Sequence, residues 1–164
     1  MLKINDVGPQ AYRDAMAHFA GAVHIVTTDG RAGRRGVTVI AACSVSDSPP
    51  TLLVCLNREN PNNELFTDNG RFALNTLAAD QQPLAVAFSG LTGLSTEERF
   101  RLGHWDTIST GAPTLREAIA VFDCELLDSS DLHTHRVHFG KVTGLRIGDN
   151  SRPLLYHDRA YHEL

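Results

Sequence analysis

The sequence predicts a mainly β chain, folded as a small, mostly antiparallel barrel with roughly two or three helices on its outside. Three observations carry that expectation. About six runs are rich in β-branched and apolar residues and are bounded by Gly, Pro, Asn, Asp or Ser. Helical spacing of apolar residues is confined to short stretches between those runs. Nothing in the 164 residues reads as a repeat, a low-complexity segment or a linker, so one domain spanning 1–164 is expected.

Each element follows from its residues. Ala11, Ala15 and Phe19, with Met16 and Ala20, recur at helical spacing up to Gly21, which predicts an N-terminal helix packed on the barrel. Residues 22–28 read as a strand, and 29–36 as a glycine-rich hairpin connection. Residues 36–46 and 51–58 are strand-like runs separated by Asp47-Ser48-Pro49-Pro50, the pattern of a central antiparallel hairpin. Asn60 suits an N-cap and Pro61 the first helical position, so a helix is expected near 61–68. A strand at 71–77 and a second helix at 80–88, stopped by Ser89-Gly90, follow. Residues 91–111 hold the only Trp and show no sustained period, which suits a segment covering the site or making partner contacts. Residues 118–126 and 137–147 read as a second strand pair, and 154–156 as the closing strand.

Composition narrows the function. Hydrophobic residues make up 42% and charged residues 21%, the balance of a globular chain. A net charge of −4 and a pI near 6.0 argue against a nucleic-acid surface. No apolar run is long enough to span a bilayer, and the first six residues lack a signal-peptide core, so a cytoplasmic protein is expected. Cys43, Cys55 and Cys124 match no zinc or redox spacing. Cys43 and Cys55 would face each other if the hairpin centres near Pro49, but in the cytoplasm reduced thiols are expected.

The region 36–63 concentrates the candidate chemistry. Ala41, Ala42, Cys43 and Ser44 are small where a buried strand usually carries Val, Ile or Leu. They read either as tight packing positions in a barrel or as a wall against which a planar ring lies. Backbone N–H groups near Asn62 and Asn63, at a helix start, would offer a seat for a phosphate. The glycines of 29–36 match neither GxGxxG nor a P-loop, and read as a solvated hairpin tip. Arg31, Arg34 and Arg35 stand there within reach of a dinucleotide phosphate. His133, His135 and His138 suggest a metal cluster at first sight, but on a strand His138 faces opposite to the other two, so no metal is expected. Ser46, Cys43 and Asp123 lack the Gly-x-Ser-x-Gly elbow of a hydrolase. Asn75 reads as either a ring contact or a strand terminus.

Several stretches, in order, resemble the short-chain flavin reductases, the reductase components of two-component flavin-dependent monooxygenases such as the 4-hydroxyphenylacetate and pyrimidine-utilisation systems. They are Tyr12-Arg13-Asp14-Ala15-Met16, Gly21-Ala22-Val23-His24-Ile25-Val26-Thr27-Thr28, Gly36-Val37-Thr38 through Ser44-Val45-Ser46, Pro49-Pro50, Phe72-Ala73-Leu74-Asn75-Thr76-Leu77 and Tyr156-His157-Asp158-Arg159-Ala160-Tyr161-His162. The resemblance spans roughly residues 10 to 162. It implies an FMN-binding split β-barrel, a homodimer with flavin near the subunit interface, and NADH or NADPH reducing FMN or FAD for a partner monooxygenase.

Residue by residue, the resemblance implies that Thr38, Val39, Ile40, Ala41, Ala42, Ser44 and Val45 line the isoalloxazine. Leu56, Asn57, Asn60 and Asn62 would hold the ribityl phosphate, and Phe88 and Ser89 would meet the distal part of the flavin. His135 would stand beside flavin and nicotinamide as the catalytic-site histidine, with Tyr161 and His162 orienting the nicotinamide. The chain departs from the family at His133, where Gly is frequent, and at Glu59, Asn60 and Asn62, where Ser or Lys often stands. Two other readings keep the fold: a non-catalytic flavin- or haem-binding barrel, and a flavoenzyme that retains FMN and reduces another substrate.

Overall fold

The computed structural model describes residues 7–149 and 152–164; the first six residues, read above for a signal peptide, lie outside them. The described chain runs α1 (Pro9–Ala17), β1 (Gly21–Ala22), β2 (His24–Thr28), β3 (Arg35–Val39), β4 (Ala42–Asp47), β5 (Pro50–Asn57), a 3-10 turn at Pro61–Asn63, α2 (Glu64–Asn69) and β6 (Arg71–Thr76). It continues with a 3-10 turn at Ala79–Gln81, α3 (Gln82–Phe88), α4 (Thr96–Phe100), β7 (Trp105–Asp106), β8 (Thr114–Leu115), β9 (Ala120–Leu132), β10 (His135–Ile147), β11 (Leu154–His157) and β12 (Ala160–Glu163).

Seven strands form one antiparallel sheet in the order β3-β2-β6-β9-β10-β5-β4. Its two edge strands, β3 and β4, are consecutive in the chain and separated only by Ile40 and Ala41. A two-residue link spans at most about 11 Å, so the sheet must curl until its edges nearly meet. That is the mainly β barrel with peripheral helices expected from the sequence, and the opening between its edges is the split.

The run 36–46, read as one strand, is therefore broken. Its first half pairs with β2 and its second half with β5, and the Ala41 carbonyl accepts from the Cys55 N–H at 2.9 Å in the gap. Cys43 pairs with Leu53 rather than Cys55, and all three thiols are free.

Period-two alternation sorts the core. Val26, Leu74 and Cys124 join Val54, Leu56, Phe66 and Phe72 inside the barrel. Ile25 and Val121 join Phe88, Phe100, Leu115 and Leu154 in a second cluster on the outer face. Residues 91–115 cover that outer face. Polar side chains on the face bind the cover: the Asn75 side-chain oxygen accepts from Leu115 N–H at 2.7 Å, and Asp123 accepts from Ser109 and Thr110 N–H at 2.7 and 2.8 Å. Asn75 is thus neither a strand terminus nor a ring contact; it is fully buried and also donates to the Ile25 carbonyl.

Two other expectations change. Residues 154–156 do not close the barrel: β11 pairs with β1 and β12 in a separate three-stranded sheet. The N-terminal helix buries no residue. It is tethered by the Arg159–Asp14 ion pair and by Asp158 N–H donating to the Ala17 carbonyl, which leaves Tyr12, Met16 and Phe19 exposed. Among the described residues no helix is long and apolar enough to cross a membrane.

Candidate functional site

The seam between the barrel edges opens into a cavity of about 530 Å³, within the usual range for a cofactor-sized ligand. One wall is β3 and the link after it, with Thr38, Val39, Ile40 and Ala41; the opposite wall is the end of β5, with Leu56 and Asn57. Phe88 and Ser89 close one end, Asn60 and Asn62 another, and His135 stands at the start of β10. Eleven of the sixteen residues selected from the sequence therefore share one cavity.

Local chemistry fixes each wall. Thr38 donates its hydroxyl to the Ala85 carbonyl at 2.7 Å, locking α3 against β3. Phe88, buried in α3, stacks edge-on to Phe100 with ring centres 5.1 Å apart. A Cβ on Gly36 would come within 2.4 Å of the Phe88 ring, so only glycine lets that ring lie on the β3 backbone. Ser89 ends the helix with its hydroxyl donating to Val86 O at 2.6 Å. His135 pairs with Asn57 across β5, and its Nδ1 hydrogen-bonds the Thr134 hydroxyl at 2.8 Å, which leaves Nε2 for a ligand. The preceding His133 takes φ 52, the left-handed conformation that suits the glycine frequent there in the family.

The helix start does not offer the anion seat read from the sequence. Asn60 caps it as expected, but its side-chain oxygen accepts from Asn62 N–H at 3.1 Å and its carbonyl from Asn63 N–H at 3.0 Å. Both backbone donors are thereby used. The Asn63 amide turns inward, donating to Asn57 O at 2.9 Å and accepting from Arg35 Nε at 3.1 Å.

Two guanidinium groups that were not selected as flavin contacts line the cavity: Arg35 from β3 and Arg99 from α4. The sequence places Arg35, with Arg31 and Arg34, within reach of a dinucleotide phosphate. The signal for Arg99 was legible in Ser95-Thr96-Glu97-Glu98, a capping box in which Ser95 Oγ accepts from Glu98 N–H at 3.2 Å and Glu98 accepts from Ser95 N–H at 2.8 Å. Phe100, buried between Phe88 and Trp105, then fixes the register of this helix against the cavity.

The remaining selected residues lie elsewhere. Ala42 and Ser44 line a second cavity of about 570 Å³, with His24, Leu52, Leu74 and Phe122. It is the larger of the two, but its lining holds no Arg or Lys and includes the core residues Leu52 and Leu74; the seam cavity, with its amides and cations, is the better receptor for a polar ligand. Val45 sits exposed at the bulge in β4. Tyr161 and His162 belong to β12, where Tyr161 packs on Tyr156 at 5.2 Å between ring centres and His162 Nε2 meets the His157 carbonyl at 3.0 Å. The fold sends this tail to the small sheet, so within one chain neither residue lines the seam. The histidine trio also separates: His138 is buried against Phe66 and bound to Ser129 Oγ at 2.8 Å.

Comparison with known proteins follows this geometry. The flavin reductase like domain family matches residues 16–164. FMN reductase (NADH) RutF of Bradyrhizobium diazoefficiens is 45% identical over 161 residues, 98% of this chain and 88% of that protein. The styrene monooxygenase flavin reductase from Pseudomonas putida S12 superposes with a TM-score of 0.81 at 30% identity, covering 93% of this chain and 96% of that one. BorF, the flavin reductase component of a bacterial two-component tryptophan halogenase, superposes with a TM-score of 0.87 at 28% identity, over 96% and 98% of the two chains.

Proposed function

Because the chain belongs to the flavin reductase-like domain family, we propose that it is an NADH-dependent FMN reductase that supplies reduced flavin to a partner monooxygenase. The observation that carries this reading is the seam cavity, lined by β3 and the link after it, by the amides of Asn57, Asn60 and Asn62 and by two arginines, in a chain that is 45% identical to FMN reductase (NADH) RutF of Bradyrhizobium diazoefficiens. The volume, the flat wall and the cations fit a ring system that ends in a phosphate.

When bound, the flavin supplies the redox chemistry, taking hydride directly from nicotinamide C4, so the protein needs no acid or base for that step. Its own residues bind and orient. Thr38 to Ala41 present the β3 wall and its link to the ring, and Phe88 shields one end from water. His135, with Nδ1 held by Thr134, positions the nicotinamide at the open side of the seam. All 164 residues act as one domain, consistent with the single sheet to which β1, β11 and the cover are bonded. A cytoplasmic location is supported by three free thiols.

The same reading includes a homodimer. The exposed Tyr12 and Met16 of α1, a helix with no buried residue in one chain, and Phe19 just after it are what a second copy would cover. A monooxygenase as recipient is supported by the structural likeness to the styrene monooxygenase reductase.

The test is oxidation of NADH by purified protein at increasing FMN, followed at the reduced-nicotinamide absorbance. Turnover that saturates with FMN supports the reading. Folded protein that binds FMN yet leaves NADH intact would overturn it.

A further inference from the structure

Resting on that reading, we propose that Arg35 and Arg99 form a two-guanidinium receptor for a terminal phosphate monoester, and that this pair makes the site select FMN over riboflavin and FAD. Neither arginine is a ribityl or ring contact in this assignment. Together they read one end of the ligand.

Four observations converge on the pair. Both side chains line the seam cavity, whose lining contains no Asp or Glu. Neither takes part in any ion pair found among the described residues, although Arg34, Arg58, Arg136 and Arg146 all do. Arg99 Nε is buried with no hydrogen-bond partner, a state that costs free energy unless a ligand relieves it. Burial, with the like charge of Arg99 beside it, holds Arg35 below the ordinary guanidinium range. Two half-buried cations that repel each other, with no counter-charge in the cavity lining, are stabilised together by one anion placed between them.

The chemistry of the anion follows. A phosphate monoester carries nearly two negative charges at neutral pH on three free oxygens, enough to satisfy two planar forks. Riboflavin has no phosphate. The corresponding phosphorus of FAD is a diester, with one charge and two free oxygens, so it leaves one guanidinium under-satisfied. Asn63 holds Arg35 Nε at 3.1 Å and so aims one fork. The α4 capping box aims the other. The backbone amides of the helix start are already used by Asn60, so the arginines take the place that those donors would otherwise fill.

The experiment measures binding, independent of turnover: titration of the full chain with FMN, FAD and riboflavin, followed by quenching of flavin fluorescence, for the wild type, Arg99→Gln, Arg35→Gln and Arg99→Lys. Arg99→Gln and Arg35→Gln should each weaken FMN by about 10- to 100-fold while shifting riboflavin by less than about 2-fold. The preference for FMN over FAD should narrow in both. Arg99→Lys, which keeps the charge but loses the fork, should fall between wild type and Arg99→Gln. In the wild type, inorganic phosphate should compete with FMN but not with riboflavin, a measurement that depends on no variant. Equal losses for FMN and riboflavin, or FMN affinity untouched in both glutamine variants, would overturn the proposal. Failure of the reductase reading looks different: selective FMN binding without NADH oxidation keeps the receptor and removes the activity.

Discussion

Asn75 shows how much a single buried amide does here. Its side chain spans two layers, donating to Ile25 O at 2.9 Å in the barrel wall and accepting from Leu115 N–H at 2.7 Å in the cover. Removing it strands a buried donor and a buried acceptor at once, and each such orphan costs about 1–3 kcal/mol. Asn75→Ala should therefore lose about 2–4 kcal/mol of stability in urea unfolding while the folded protein binds FMN within about 2-fold of the wild type. A variant of unchanged stability that has lost FMN would instead restore the ring contact read from the sequence. That reading failed for a physical reason. An Asn at a polar position in a strand announces a hydrogen bond, but its partner is 40 residues away in a segment with no period of its own. Asn60 was legible because its partner, Asn62, is local.

At the scale of elements, local signals survived and long-range ones did not. Asn60-Pro61 marked a helix start correctly, and the two hairpins β2–β3 and β4–β5 followed from their turn residues. The break at Ile40-Ala41 has no sequence pattern of its own and exists only because the two halves belong to opposite sheet edges. The separate sheet of β11 and β12 was hidden likewise, since β-branched and aromatic composition specifies a strand but not its neighbour. Most of the cavity was still found, through family likeness along the β3–β5 stretch, while Arg99 was missed although its capping box stands in the sequence. The box now gives a prediction. Ser95→Ala removes the cap at a cost of about 1 kcal/mol, which frays a five-residue helix that Phe100 alone would then hold. FMN affinity should fall several-fold with riboflavin affinity little changed, measured by the same fluorescence titration. An equal fall for both flavins would mean that α4 supports the ring wall and not the phosphate end.

Over the whole molecule, two histidines tie the barrel to pH. His24, whose Nδ1 hydrogen-bonds Thr76 Oγ1 at 3.0 Å, and His138, beneath Phe66, are each pushed down to about 4, chiefly by burial; at His138 the Arg136 guanidinium adds to the effect. Both rings are neutral in the folded protein at neutral pH. In the unfolded chain they bind protons near pH 6.5. Between about pH 6.5 and 4 the unfolded state therefore holds more protons than the folded one, and stability falls as pH falls through that window. The loss is on the order of 3 kcal/mol per histidine across the full interval. The carboxylates held low by their partners, Asp14, Asp106 and Asp131, act with the same sign but only nearer their own range below pH 4. The two windows separate cleanly. His138→Gln should keep the Ser129 contact, lower stability at pH 7 and remove about half of the decline between pH 6.5 and 4.5, as read from urea midpoints at fixed protein concentration. An undiminished decline in that variant would show that His138 is not a source of the pH dependence in that window.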